Sequence, residues 1–153
     1  MSELGEKILE VKNLSSHFLM PGRKTIEAVA GVSFDVHRGE TVALVGESGS
    51  GKSVTAFSVM QLLERNTRHP QGEILFKGQD ILKMDFRELR ALRGNEISII
   101  FQEPGTSLNP VYTVGSQVAE ALLIHQGLSS FEAKERVIEM FHEVGIPRAE
   151  QTV

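Results

Sequence analysis

Residues 41–63 place three structural instructions in one short stretch. Thr41-Val42-Ala43-Leu44-Val45 is a nearly all-apolar, β-branched run, the composition of a strand buried on both faces of a parallel sheet. Gly46-Glu47-Ser48-Gly49-Ser50-Gly51-Lys52-Ser53 follows and fits the pattern GxxxxGKS/T. From Lys52 to Leu63 there is no Gly or Pro, and Val54, Phe57, Met60 and Leu63 recur at helical spacing. A strand, a glycine-rich turn and a helix in that order predict an α/β architecture, with the turn lying between a strand end and a helix N-terminus.

Such a turn suits phosphate. Gly46, Gly49 and Gly51 permit backbone conformations that a Cβ resists, so successive N–H groups can point inward as an anion nest. The helix beginning near Gly51 adds partial positive charge at its N-terminus. Lys52 supplies a full charge for the β- and γ-phosphates of a nucleotide, and the Ser53 hydroxyl is placed to ligate Mg2+. Ser48 and Ser50 need only be small.

The rest of the composition narrows the alternatives. A chain of 153 residues with 41% hydrophobic residues can bury a real core. A net charge of -4 without a basic run disfavours a dedicated nucleic-acid binder. There is no Cys, hence neither a disulfide nor a thiolate metal site. No signal-peptide core opens the chain, and nowhere do 18 apolar residues run together. His17, His37, His69, His125 and His142 fall at scattered spacings with no paired carboxylate motif, so neither a metal cluster nor a catalytic His is expected.

Strands are predicted at Ile8–Val11 and Val29–Val36, with Pro21-Gly22-Arg23-Lys24 as the turn between them. His37-Arg38-Gly39-Glu40 turns the chain toward the phosphate loop. Residues 66–72 read as a connection, Glu73–Phe76 as a strand, and Lys77–Asp80 as a tight turn. Asp85 and Glu88 form a capping box for a helix that Gly94 ends. Ile97–Phe101 is a second buried-strand candidate, leaving Gln102 at a strand end before Pro104. Helices are predicted at Val114–Gln126 and Ser129–Val144. In the second, Ser129 and Glu132 form a capping box, Ala133, Val137, Phe141 and Val144 an apolar face, and Gly145 then Pro147 the stop. Lys134, Glu135, Arg136 and Glu139 read as exposed charges. Residues 148–153 suggest no element.

The loop at Gly46–Ser53, followed by Phe101-Gln102-Glu103-Pro104 and Ser107-Leu108-Asn109-Pro110, resembles the nucleotide-binding subunit of an ABC transporter. The string Ile100–Val111 and the GESGSGKSV form of the loop most resemble ATPases of dipeptide and oligopeptide importers. Gly105 departs from the usual pattern, where a larger apolar residue stands. The resemblance implies a P-loop ATPase core with an antiparallel β-subdomain (residues 1–112) and the start of a helical subdomain (residues 113–153), truncated. It further implies nucleotide contacts from Phe18, Gly46, Glu47, Ser48, Gly49, Ser50, Gly51, Lys52, Ser53 and Val54, with ATP and Mg2+ as ligands. Phe18 would stack on adenine, although an ordinary core aromatic would read the same. Lys52 and Gln102 would serve catalysis, and Ser53 and Gln102 the metal, the amide being able to bind through oxygen and donate through nitrogen. Expected partners are transmembrane permease subunits, a second ATP-binding subunit and, indirectly, an extracytoplasmic solute-binding protein. The implied location is the cytoplasmic face of a membrane.

Three family elements do not occur in the sequence: a Walker B strand ending in Asp-Glu, an LSGGQ-like signature and a switch His. The expectation is therefore the N-terminal portion of a longer subunit, hydrolysis-deficient alone, with the Thr41–Val45 strand lacking a neighbour and exposing its backbone donors. Two alternatives stay open at this point: a non-catalytic nucleotide-binding fragment, and an ABC-type ATPase outside transport. A GTPase is disfavoured, since Asn-Lys-x-Asp is missing.

Overall fold

The computed structural model describes residues 5–22 and 24–153, so Arg23 of the expected turn lies outside the described residues. The chain divides into two compact units, Met1–Arg90 and Ala91–Val153.

In the first unit, β1 (Lys7–Leu19) lies between β2 (Thr25–His37) and β3 (Thr67–Phe76), and β4 (Gln79–Asp80) borders β3; all pairings are antiparallel. The two strands predicted near the N-terminus lie within these longer ones. Val11 pairs with Phe34 but Leu14 with Val32, and on the other edge Lys12 pairs with Glu73 but Ser15 with Gln71. β1 therefore carries an extra residue against both neighbours, a bulge centred on Asn13, whose φ is 47°. The bulge shifts the phase of the strand, so Val11 and Leu14, three residues apart, are both buried at 1% and 0% exposure. Ser16, two further on, is buried with them.

β3 starts at Thr67, inside the stretch expected to be a connection. Pro70 sits where the register slips from Ser15↔Gln71 to His17↔Arg68. On the other edge β4 reaches only Leu75 and Phe76, so among the described strands none needs the missing N–H. Lys77 (φ 48°) and Gly78 (φ 82°) form the two-residue hairpin turn to β4.

Helix α1 (Lys52–Val59) stops short of the predicted Leu63. Gln61 adopts φ 49°, its N–H reaches the Ser58 carbonyl at 3.0 Å, and Leu62 N–H reaches Phe57 at 2.9 Å. This is the 5→2 and 6→1 pair of a Schellman ending, here with Gln in the left-handed position.

The strand predicted at Thr41–Val45 does not form. These residues make no strand pairing and are exposed, Val45 at 85%. Parallel strands draw hydrogen bonds from neighbours on crossover connections, and among the described strands none lies beside this segment. An apolar run without partners stays irregular. The same holds for Ile97–Phe101, where only Ile97 bridges, to Arg93, and Ile100 is 92% exposed.

Helix α2 (Phe86–Leu92) has the expected start: Asp85 N–H donates to Glu88 at 2.7 Å, and Asp85 Oδ1 accepts from Arg87 and Glu88 N–H groups. Gly94, at φ 80°, follows its end. In the second unit come α3 (Pro104–Ser107), α4 (Val114–Gln126), α5 (Ser130–Glu143) and α6 (Ala149–Thr152). Leu122, Ala133, Val137, Phe141 and Ala149 form the core of this unit. Lys134, Glu135, Arg136 and Glu139 are exposed as expected, Arg136 pairing with Glu139 at 2.7 Å. Val144 does not join the apolar face. It caps α5 rather than continuing it, and is exposed. The short α6 occupies residues for which no element was expected.

The Ser129–Glu132 capping box is complete, with Ser129 N–H donating to Glu132 at 2.8 Å and Glu132 N–H to Ser129 Oγ at 3.3 Å. Ser129→Ala is expected to destabilise the helical unit by about 1 kcal/mol, while Ser129→Asp retains most of the stability. Thermal melts followed by circular dichroism check this; equal midpoints for wild type and Ala would refute it.

Candidate functional site

The loop from Gly46 to Ser53 is exposed through Ser50 and then dips against the sheet. At Gly51, φ is 91° and a Cβ would stand 2.4 Å from the Ala28 carbonyl oxygen of β2. Only glycine lets the loop end press this closely on β2. Thr55 Oγ1 donates to the Gly51 carbonyl at 3.0 Å, and Thr55, Ser58 and Val59 bury the inner face of α1. The helix that follows the loop is thereby held on the sheet by both backbone and side chains.

Lys52 braces the loop from inside. Its Nζ donates to the carbonyls of Gly46 at 2.8 Å and Glu47 at 2.6 Å, and to Ser50 Oγ at 3.4 Å. The Ser50 N–H closes a turn onto Glu47 at 3.2 Å, and a Cβ on Gly46 would meet Ser50 Oγ at 2.7 Å.

These residues fit a phosphate chain. No side chain caps the N-terminus of α1 and its first turn carries no acidic residue, so its N–H groups and partial positive charge are left for an anion. Lys52 stands at the first helical position, its compact ammonium group carried on a flexible stem. Ser53 is exposed and Val54 half-buried. Among the described residues no group of three His, Asp or Glu side chains could hold a metal ion.

Phe18 lies near the end of β1, paired with Ile26 and Thr67, and its ring is half-buried. Gln102 belongs to the second unit, exposed in a bend before α3 rather than at the end of a strand. The structure groups Gly46 to Val54 in one loop and helix start; Phe18 is in the same unit and Gln102 in the other.

One organising residue carried no signal in the sequence reading. Gln117 Oε1 accepts from Asn109 N–H at 2.8 Å, and its Nε2 donates to the carbonyls of Asn109 at 3.0 Å and Tyr112 at 3.1 Å. A single amide thus pins the loop before α4 and presents Leu108, Val111 and Tyr112 outward, Val111 at 82% exposure.

A family model described as ABC transporter matches residues 29–153. The chain is 49% identical over 146 residues to the dipeptide transport ATP-binding protein DppD of Lactococcus lactis, covering 95% of this chain and 42% of that protein. It is 50% identical over 147 residues to the peptidoglycan transport ATP-binding protein YejF of Agrobacterium fabrum, covering 95% and 27%. With the oligopeptide transport ATP-binding protein AppD of Bacillus subtilis the identity is 46%, covering 94% and 44%. The chain thus spans less than half the length of these relatives. Among solved structures, a dimeric bacterial ABC transporter cassette matches with a TM-score of 0.75 at 25% identity, covering 92% of this chain and 59% of that one. The same cassette in a post-hydrolysis state, bound to ADP and Pi, also matches at 0.75, with 26% identity and the same coverage.

Proposed function

The chain belongs to the ABC transporter family, and from that premise we propose that it is the ATP-binding part of a subunit that couples ATP binding and hydrolysis to import of peptides or similar small solutes. The observation that carries this reading is the loop Gly46–Ser53, seated at an uncapped, acid-free helix N-terminus and braced by Lys52. The relatives, dipeptide and oligopeptide transport ATP-binding proteins, support the solute class.

In this proposal the loop N–H groups and the end of α1 receive the phosphates, and Lys52 exchanges the Gly46 and Glu47 carbonyls for phosphate oxygens. Exchange of one acceptor set for another keeps the ammonium satisfied throughout. Glu47, Ser48, Gly49 and Ser50 wrap the phosphates through their backbone, and Val54 continues the helix start behind them. Phe18 would stack on the adenine ring. Mg2+ would neutralise charge developing on the phosphates, with Ser53 and Gln102 as the residues that hold it. The functional division at residues 1–112 and 113–153 belongs to the same reading.

The outward Leu108, Val111 and Tyr112 support a surface for a transmembrane permease subunit, and the dimeric cassette supports pairing with a second ATP-binding subunit. No helix among the described residues is long and apolar enough to cross a membrane, so attachment to its cytoplasmic face would go through the permease. The ABC family supports ATPase activity. This chain by itself is proposed to bind ATP without turning it over, because no Walker B Asp-Glu and no signature motif occur in its sequence. Titration calorimetry with ATP, together with a phosphate-release assay, tests both halves. The expected result is saturable binding with phosphate release no faster than the Lys52→Ala variant. Absence of binding would sink the nucleotide reading, and Lys52-dependent turnover would sink the claim of deficiency.

A further inference from the structure

His69 has no part in the roles above, yet it sits in a hydrogen-bond chain that enters the helix following the phosphate loop. Ser58 Oγ donates to the Val54 carbonyl at 2.7 Å, which uses its only proton. Ser16 Oγ, 3.0 Å from Ser58 Oγ, must then be the donor between the two hydroxyls. With the Ser16 proton so committed, His69 Nδ1, 3.0 Å from Ser16 Oγ, must carry a hydrogen and donate it. Neutral His69 is left with Nε2 as an acceptor. Gln61 Nε2 faces it at 3.5 Å while also donating to the Ser58 carbonyl at 2.7 Å. The direction Gln61 to His69 to Ser16 to Ser58 to Val54 gives each of these contacts one donor and one acceptor. Ser16 and Ser58 are 0% exposed, so water cannot replace a link at the centre of the chain.

We propose that His69, neutral and protonated on Nδ1, is a positioning residue for the phosphate-binding loop. Through Ser16 and Ser58 it locks α1 to β1 and β3, and so sets the direction in which the helix N-terminus and Lys52 meet an anion. The inference rests on the nucleotide reading and names a residue that tunes that site.

The chain is sensitive to protonation. A proton on Nε2 would set a donor against the Gln61 amide N–H and break the first link. Burial holds the imidazole below its ordinary range, partly opposed by a hydrogen bond to the Ser15 backbone. The neighbouring charges are engaged elsewhere. His17 on β1 faces Glu27 at 3.3 Å, and Arg68 on β3 donates to the Arg65 and Thr67 carbonyls. Lys52 on α1 is bound to its own loop, and Glu64 and Arg65 of the connection are exposed. The folded state favours the neutral ring, so the chain is intact above the ordinary His range and its contribution is lost as pH falls through and below that range.

Two measurements on the full chain test this. Ring-nitrogen NMR of the unsubstituted protein at pH 7.5 should show the Nδ1–H tautomer for His69; the Nε2–H tautomer overturns the proposal whether or not nucleotide binds. Calorimetry with ATP should show His69→Leu binding roughly five- to tenfold more weakly than wild type, the cost of about one hydrogen bond. His69→Asn, which can present an N–H near the Nδ1 position, should recover to within about threefold of wild type. Wild-type affinity should fall more than that of His69→Asn as pH is lowered through and below the ordinary His range. Wild-type affinity in His69→Leu, or parallel pH profiles for wild type and Asn, overturns the proposal. An unsubstituted chain that binds no ATP counts against the nucleotide reading, and the tautomer still decides the direction of the chain.

Discussion

Replacing Lys52 with Ala is expected to weaken ATP binding at least roughly 100-fold, about 3 kcal/mol, with little change in helix content. Two losses combine in that number. The side chain supplies the one full positive charge of the loop, and a charge-assisted bond to phosphate is worth about twice a neutral one. It also braces the loop, through the carbonyls of Gly46 and Glu47 and the hydroxyl of Ser50. Without it those carbonyls point at an incoming anion with nothing to offset them. Lys52→Arg should not restore binding, because a planar guanidinium cannot enter a space that a compact ammonium fills between backbone oxygens. Calorimetry at matched ionic strength decides the matter, and an Ala variant within threefold of wild type would show that the backbone nest alone holds the phosphates.

Gly72→Ala should be the most damaging glycine substitution in the sheet, costing roughly 3 kcal/mol or more. Gly72 lies opposite the Asn13 bulge at φ 101°, and a Cβ there would stand 2.6 Å from the Asn13 carbonyl oxygen, 2.6 Å from Leu14 Cα and 2.7 Å from the Lys12 carbonyl oxygen. All three are backbone atoms of the central strand and cannot swing aside as a side chain would. Relief would require β1 and β3 to separate where Val11, Leu14 and Ile74 form the core. Gly22 is the control: at φ 83° with nothing within 4 Å, its replacement by Ala bears only the backbone cost, about 1 kcal/mol. Urea denaturation of the pair separates the two. A Gly72→Ala variant no less stable than Gly22→Ala would mean that the bulge can relax.

Local signals were legible where local chemistry decides the outcome. The Asp85 and Ser129 caps, the bounds of α4 and the Lys77-Gly78 turn follow from hydrogen bonds and φ values among residues a few positions apart. Thr41–Val45 and Ile97–Phe101 were misread because an apolar, β-branched run specifies a preference for burial, whereas a strand also needs a neighbour to take its hydrogen bonds. Residues 67–72, expected as a connection, carry no apolar alternation to mark a strand; pairing with β1, with a register slip at Pro70, makes them one. In the candidate site, the glycines and Lys52 stood out through a motif whose spacing carries its own mechanism. His69 and Gln117 did not, since each acts through partners at sequence distances no motif records, Ser16 lying 53 residues from His69.

The irregular Thr41–Val45 segment has a consequence for solubility. Five consecutive uncharged residues, three of them β-branched, without Pro and with unpaired backbone, are the makings of a cross-β template between molecules. Glu40 stands directly before them and Glu47 two residues after, both exposed. Stacking copies in register would stack these carboxylates as well, so the flanking charges act as gatekeepers against self-assembly.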